Sequence, residues 1–457
     1  MGSLTTSLLN STGALSAYGR VLNVIQNNIS NAHTPGYVKQ EQSLLAMPFD
    51  VAQHTAGGVM AGPVLSARSE YLEQNVRTQA QLLGYSRQTA SDLGQVEPVF
   101  SLTSTSSVSA TLNNFFNSFS QLSVNPNDPV ERQGVIHAAN EVAQSFNQAA
   151  SGISQVATNV DSQTRDLVPQ INQVLKQITA LNRDFSGNAA AAQDAGLDAQ
   201  MHAALENLSS LVNFSLVKST NGQFNVFLNG ETPLVVGDHE FALSADFSAP
   251  QTVIRDSQGN DVTSQVAGGQ LGALLTEKNT TLPGYTESLN TLSRTVADQV
   301  NQQLSQGVDE NGLPPAVGLF TYNQPSDAAS TIAVTGITRD QIAAASAVAP
   351  GGNGNAIAVA QLATAPLVNG RTFTQAFGEL SGQAGSDVAQ AQQDQSTDQD
   401  LLTQAQQARS QQTGVSLDEE AAKLLQVQQG YEAVGKLVSV LSDLTLTVIN
   451  IIPPVTS

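Results

Sequence analysis

Both ends of this chain carry heptad-spaced apolar stripes, and most of its 457 residues lie between them. Near the start, Leu4, Leu8, Leu15, Tyr18, Leu22, Ile25 and Ile29 fall on alternating three- and four-residue steps, with Ser11 in one missed place. That is the seam of a helix that packs on partner helices. Arg20 is its only charge, so the helix has no strongly hydrated face. It should stop at Asn31-Ala32-His33-Thr34-Pro35-Gly36-Tyr37, where proline and glycine impose a turn. At the far end Ser416 is a good N-cap, with Glu419 three residues on as in a capping box. Leu417, Leu424, Val427, Tyr431, Val434, Val438, Leu441 and Val448 then continue a second stripe, ended by Pro453 and Pro454. Such ends can pair with each other inside an ordinary core, with other subunits, or with both.

The interior reads as more long helices with one β-rich interruption. Phe146, Ile153, Val156, Val160 and Leu167 form a stripe that resumes as Ile171, Val174, Ile178 and Leu181, and the phase slip at Pro169 predicts a kink or break. Leu271, Leu274, Leu282, Leu289, Leu292, Val296, Val300 and Leu304 form another, interrupted near Pro283-Gly284. Between them, Phe214–Val217 and Phe224–Leu228 flank Thr220-Asn221-Gly222, a hairpin signal. Leu234–Val236, Phe241–Leu243 and Thr252–Ile254 follow as further strands, Ile332–Val334 as a short one, and Gly351–Gly354 as a loop. Residues 383–412, rich in Gln and Asp, read as a solvated helical approach to the last helix. The expected fold is mainly α with a small β insertion. Its parts are an N-terminal coiled-coil helix and turn (1–45), a helical core (46–205 and 267–400), a β-rich outer insertion (206–266) and a C-terminal coiled-coil helix (401–457).

Composition removes several functions. With 18 basic against 38 acidic residues the chain is charged −20 and would repel nucleic acid, and no local basic patch offsets this. Charged residues make up 12% of the chain, about half the usual ~25%, and a polar surface so poor in charge suits packing against neighbours. There is no cysteine, hence no disulfide, thiolate ligand or cysteine nucleophile. The N-terminus lacks a basic region followed by an apolar core, so no secretory signal is expected, and no apolar run is long enough to insert in a membrane. The five histidines are scattered. His239-Glu240 lacks the second histidine of a zinc-protease motif, Leu243 standing in its place. Asp309-Glu310-Asn311-Gly312 lacks the glutamate that completes a calcium loop and reads as a turn. Gly351–Asn355 is followed by no lysine of a phosphate loop, and no nucleophile elbow is present. These observations argue against an enzyme, and nothing calls for a cofactor or metal.

The turn Asn28-Ile29-Ser30-Asn31-Ala32-His33-Thr34-Pro35-Gly36-Tyr37 is similar to the signature of the flagellar axial proteins, the rod, hook and hook-associated subunits. The segment Gly414–Leu425 with Gln428-Gln429-Gly430-Tyr431-Glu432-Ala433 resembles the matching C-terminal signature. Inside, Ala110–Phe119 with Asn125–Pro129, Gln177–Asn182, Gly268–Leu275, Leu282–Tyr285 and Asn301–Asp309 resemble the hook-associated protein 1 family. The likeness is weakest over 183–265 and 366–400. His33 and Lys39 stand where the family more often has Asn and Arg, and Met201–Leu205 replaces a more charged segment, differences expected to affect surface properties. The chain is also short for the family, which implies a reduced or missing outer domain.

The resemblance implies a structural subunit joining hook to filament. Its terminal helices, unsettled in the free subunit, would form a coiled coil in a tubular wall. The implied partners are other copies of itself, the hook protein, the next hook-associated protein on the filament side, and a cytosolic export chaperone covering Leu424, Tyr431, Val438 and Leu441. The implied location is extracellular, on the flagellum, after type III export without a cleaved signal. The signature turn would contribute Asn28, Asn31, Thr34, Pro35, Gly36 and Tyr37. Another axial subunit is the alternative, disfavoured by the central helices. An adhesin carried by the β insertion is a further one, but Phe214, Phe224 and Phe227 are more simply that insertion's own core.

Overall fold

The computed structural model describes residues 2–50, 55–187, 194–219 and 222–451. Helix α1 (Gly2–Asn31) leads into a long antiparallel hairpin, β1 (Gln40–Asp50) and β2 (Thr55–Ser66). Helices α2 (Glu70–Val96), α3 (Val108–Val124), α4 (Pro129–Gly187) and α5 (Ala195–Leu211) follow. The β-rich part holds a four-stranded antiparallel sheet of β3 (Ser215–Lys218), β4 (Phe224–Leu228), β5 (Thr232–Val236) and β6 (His239–Glu240). Beside it β7 (Ser244–Asp246) pairs with β8 (Val253–Arg255). Next come α6 (Gly269–Thr276), a π-helical turn at Glu277–Thr281 and α7 (Leu282–Leu304). Short pieces β9 (Gly307–Val308), β10 (Phe320–Thr321), α8 (Ala328–Thr331), β11 (Ala333–Val334), β12 (Ala345–Ser346) and α9 (Gly354–Gln361) lead to α10 (Phe373–Thr413) and α11 (Leu417–Ile451).

The interior stripes are the core. Every stripe residue named above in α4, α6 and α7 is buried, and all of them belong to one hydrophobic cluster spanning α2 to α10. Its centre is aromatic: Phe115 meets Phe116, Phe119 and Phe320 at ring separations of 5.1, 5.3 and 5.5 Å, and Phe116 stacks on Phe373 at 5.7 Å. Edge and offset contacts of this kind add to the burial of large apolar area.

Two expected interruptions take other forms. Helix α4 runs unbroken for 59 residues through Pro169, roughly 90 Å at a rise of about 1.5 Å per residue. Pro169 lies on the exposed face, where water can satisfy the carbonyl it leaves unpaired. The slip between Leu274 and Leu282 is absorbed upstream of Pro283 by the π turn, which inserts one extra residue and restores the phase.

The β insertion is not a separate body. Phe224, Val226, Leu228, Leu234, Val235, Leu243 and Ile254 join the main cluster. Buried Asn182 of α4 pins the sheet, donating to the Phe224 and Gly237 carbonyls at 2.8 and 2.7 Å and accepting from the Phe224 amide at 2.8 Å. Residues 220 and 221 of the expected hairpin turn lie outside the described residues; Gly222 follows at φ +88°. Phe241–Leu243 is irregular, and the strand begins at Ser244.

Three boundaries differ from expectation. Residues 46–50 and 55–66, read as the start of the helical core, belong to the β1–β2 hairpin. Their pattern is strand-like only when both arms are paired, Leu45 opposite Met60 and Met47 opposite Gly58. Position 401 falls inside α10, so the C-terminal segment starts at Leu417 instead. Residues 383–412 are not wholly solvated, because Ala384, Val388, Ala391, Leu402 and Ala405 bury a thin stripe, part of it against α2.

Candidate assembly site

Helices α1 and α11 pack lengthwise on each other, and the β1–β2 hairpin lies along another side of α1. The buried row of α1 is Ser11, Ala14, Ala17, Val21, Ile25 and Asn28. Of the expected seam only Ile25 is buried; Leu4, Leu8, Leu15, Tyr18, Leu22 and Ile29 are partly exposed. Burial at 14, 21 and 28 in place of 15, 22 and 29, with 11 and 25 kept, means that the buried face of α1 is turned by only part of the ~100° step of one residue. The hairpin, absent from the sequence reading, supplies the second wall that makes the small-residue face the buried one. Close approach follows from that choice: a Cβ on Gly430 would lie 2.6 Å from the Tyr18 ring.

On α11, Leu424, Val427, Val434, Val438, Leu441 and Val448 are half-buried, whereas Leu417 and Tyr431 are exposed. A second row faces outward: Leu425, Leu437, Val440 and Leu444 are exposed, with Leu446 and Ile449 beyond them. No charged residue follows Asp443. A helix apolar on several sides is one that ends up buried. The hairpin adds Leu45, Met47, Met60, Leu65 and Phe49, the last 72% exposed. Exposed apolar side chains in this number make the terminal helices and hairpin a candidate interaction surface.

The signature turn is built around Asn28. Its amide donates to the Gln40 carbonyl at 2.8 Å and to Glu420 Oε2 at 3.0 Å. Its carbonyl oxygen accepts from the Gln40 amide and the Tyr37 hydroxyl, both at 3.0 Å. One side chain thus ties α1, β1 and α11 together. Asn31 donates to the Asn27 carbonyl and accepts from the Thr34 hydroxyl, shaping the turn. Gly36 is required twice over: its φ is +76°, and a Cβ would meet the Ala199 carbonyl oxygen at 2.5 Å. Pro35 is exposed. Lys39, a departure from the family, pairs with Glu419 at 2.9 Å and Glu41 at 3.3 Å. Burial pulls its ammonium down, but those two carboxylates outweigh it and hold Lys39 above its ordinary range. Ser416 caps α11, accepting from the Glu419 amide at 3.4 Å.

On the core side of this turn lies a network, centred on buried Glu73 and His202, that no local sequence pattern announced. Arg68 donates to Glu73, to Asp198 at 2.6 Å and to the Gly36 carbonyl at 2.7 Å. Arg409 reaches the other oxygen of Glu73 at 3.0 Å and Glu206 at 2.8 Å. His202 stands among them with both ring nitrogens unpartnered, 3.8 Å from Glu73 and 3.7 Å from Asp198. Burial, reinforced by Arg68 and other nearby cations, pushes it down to about 2, so it is neutral. Met201, His202, Ala204 and Leu205 are buried, so this departure from the family concerns the interior, not the surface as expected. The residues of the network are 130 to 336 positions apart across its longer links, which is why spacing could not find them.

The remaining candidate motifs are local structure. Asp309 accepts from the Asn311 and Leu313 amides at 2.8 and 2.9 Å, closing a turn with Gly312 at φ +76°. His239 is exposed beside Asp238, and Gly351 turns at φ +81°. Among the described residues no group of histidines and carboxylates is placed to hold a metal, and no helix is long and apolar enough to cross a membrane.

Residues 93–320 match the flagellar hook-associated protein FlgK helical domain. Flagellar hook-associated protein 1 of Bacillus subtilis is 26% identical over 489 aligned residues, covering 96% of each chain. Its namesake in Salmonella typhimurium is 26% identical over 67% of this chain, an alignment that spans 58% of that protein. The flagellar hook junction protein FlgK from Burkholderia pseudomallei has the same fold, with a TM-score of 0.67 and 18% identity over 74% of this chain and 99% of that one. The domain match over α3 to α7, the end-to-end alignment and the shared fold agree, and the chain belongs to the flagellar hook-associated protein 1 family.

Proposed function

We propose that this chain is a structural, non-enzymatic subunit that joins hook to filament and assembles through its terminal helices. The observation that carries the reading is the outward apolar row on α11, Leu425, Leu437, Val440 and Leu444, matched by the open leucine flank of α1. Pairing α1 with α11 in one chain leaves both rows unspent, so intramolecular packing and assembly are successive uses of the same helices. The tie at Asn28 and Glu420 holds their inner ends, while the outer turns rest on thin contacts and become fixed only when neighbouring copies cover them. Partners on this reading are other copies, the hook protein below and the next hook-associated protein above. A cytosolic chaperone shields the α11 row before type III export.

Deleting the gene tests it. Hooks should still form, and flagellin should be secreted without polymerising on them. Loss of hooks would instead indicate a rod or hook subunit, and normal motile filaments an accessory adhesin.

A further inference from the structure

The terminal module of α1, hairpin and α11 meets the core at a narrow neck. No residue of that module belongs to either hydrophobic cluster of the described residues. Clefts of about 410 and 510 Å³ open between the base of the hairpin and the start of α5. Three chain crossings are stitched there by backbone bonds, the Lys39 amide to the Thr413 carbonyl and the Ala67 amide to the Lys39 carbonyl, both 2.9 Å. Bodies without a large apolar interface move relative to each other unless something else fixes them.

We infer that the Arg68–Glu73–Arg409 network is a positioning clamp that sets the direction in which the assembly helices leave the core. Arg68 holds the neck directly through the Gly36 carbonyl, and it holds the core through Glu73 of α2 and Asp198 of α5. Arg409, four residues before the Thr413 crossing, anchors the same Glu73 and Glu206. The geometry makes the two arginines unequal. Arg68 uses three different nitrogens in three directions, which a lysine ammonium cannot reproduce. Arg409 makes both contacts from the single nitrogen Nη1, which an ammonium can replace. The inference depends on the assembly reading only for its consequence, that outward rows presented at a fixed angle can enter a regular wall.

Because the chain has no cysteine, spin labels can be placed at Gln26→Cys on α1 and Gln392→Cys on α10, both exposed, in the full-length protein. Pulsed electron resonance should give one narrow distance distribution for the parent and for Arg409→Lys. Arg68→Lys and Arg409→Met should broaden it at least twofold, with helix content by circular dichroism unchanged. Should an Arg68 variant fail to fold, Glu206→Gln, which loosens only one arm, should give an intermediate width. A broad parent distribution, or an Arg68→Lys distribution as narrow as the parent's, overturns the clamp and leaves the assembly reading standing.

Discussion

Replacing Glu277 with glutamine should flatten the stability of the core above neutral pH. Glu277 sits in the π turn, almost wholly buried, with Oε2 unpartnered. Burial first, then the neighbouring carboxylates of Asp92 and Asp387, push it up to about 8 from an ordinary 4.5. The folded chain therefore keeps a proton that the unfolded chain has lost, and stability falls as pH rises from 4.5 through 8. His202 acts in the opposite sense and in a lower window: its folded value of about 2 lies below the ordinary 6.5, so its contribution is complete above 6.5 and is lost as pH falls. Between 6.5 and 8 Glu277 acts without His202. One pKa unit corresponds to about 1.4 kcal/mol, so the native chain should lose roughly 1–2 kcal/mol across that interval. Urea unfolding followed by circular dichroism at pH 6.5, 7.25 and 8 measures this. Glu277→Gln, neutral at every pH, should abolish the slope and be the more stable chain at pH 8. Parallel profiles for the two proteins would refute the protonated, buried carboxyl.

Other predictions concern the neck and the ends. Gly36→Ala forces a left-handed φ and a backbone collision, and should cost about 1–3 kcal/mol in urea unfolding, or more if Ala199 cannot shift. Asn28→Ala leaves the Gln40 backbone, Tyr37 and Glu420 unsatisfied; a loss of about 2 kcal/mol and faster amide exchange in α1 and α11 are expected. His202→Phe should reduce the loss of stability between pH 6.5 and 5 by roughly 1–2 kcal/mol relative to the native chain, read from urea midpoints. Limited proteolysis of the free subunit should trim the outer turns of both terminal helices and stop near the neck, whereas full protection would contradict their dependence on neighbours.

The long interior stripes were legible because burial in a helical bundle repeats in the sequence with the helix itself: the stripe positions from Phe146 to Leu181 and from Leu271 to Leu304 are all buried. The signature turn was legible as a motif, but its mechanics were not, since Asn28 works through Gln40 and Glu420, the latter 392 residues away. The hairpin was missed because Leu44-Leu45-Ala46-Met47 fits either helix or strand until Met60 and Val59 are placed opposite. That omission also hid which face of α1 is buried within the chain, because this depends on both of its neighbours. The clamp left no trace, as ion pairs across distant elements carry no period.

The most direct test of assembly through the terminal helices is to locate the protein on isolated hook–basal bodies by immunogold microscopy. The native chain should label the distal end of the hook. A Leu437→Ser, Val440→Ser, Leu444→Ser chain should be exported yet leave that end bare, with flagellin lost to the medium. Equal labelling by the substituted chain, with normal filaments, would contradict the account.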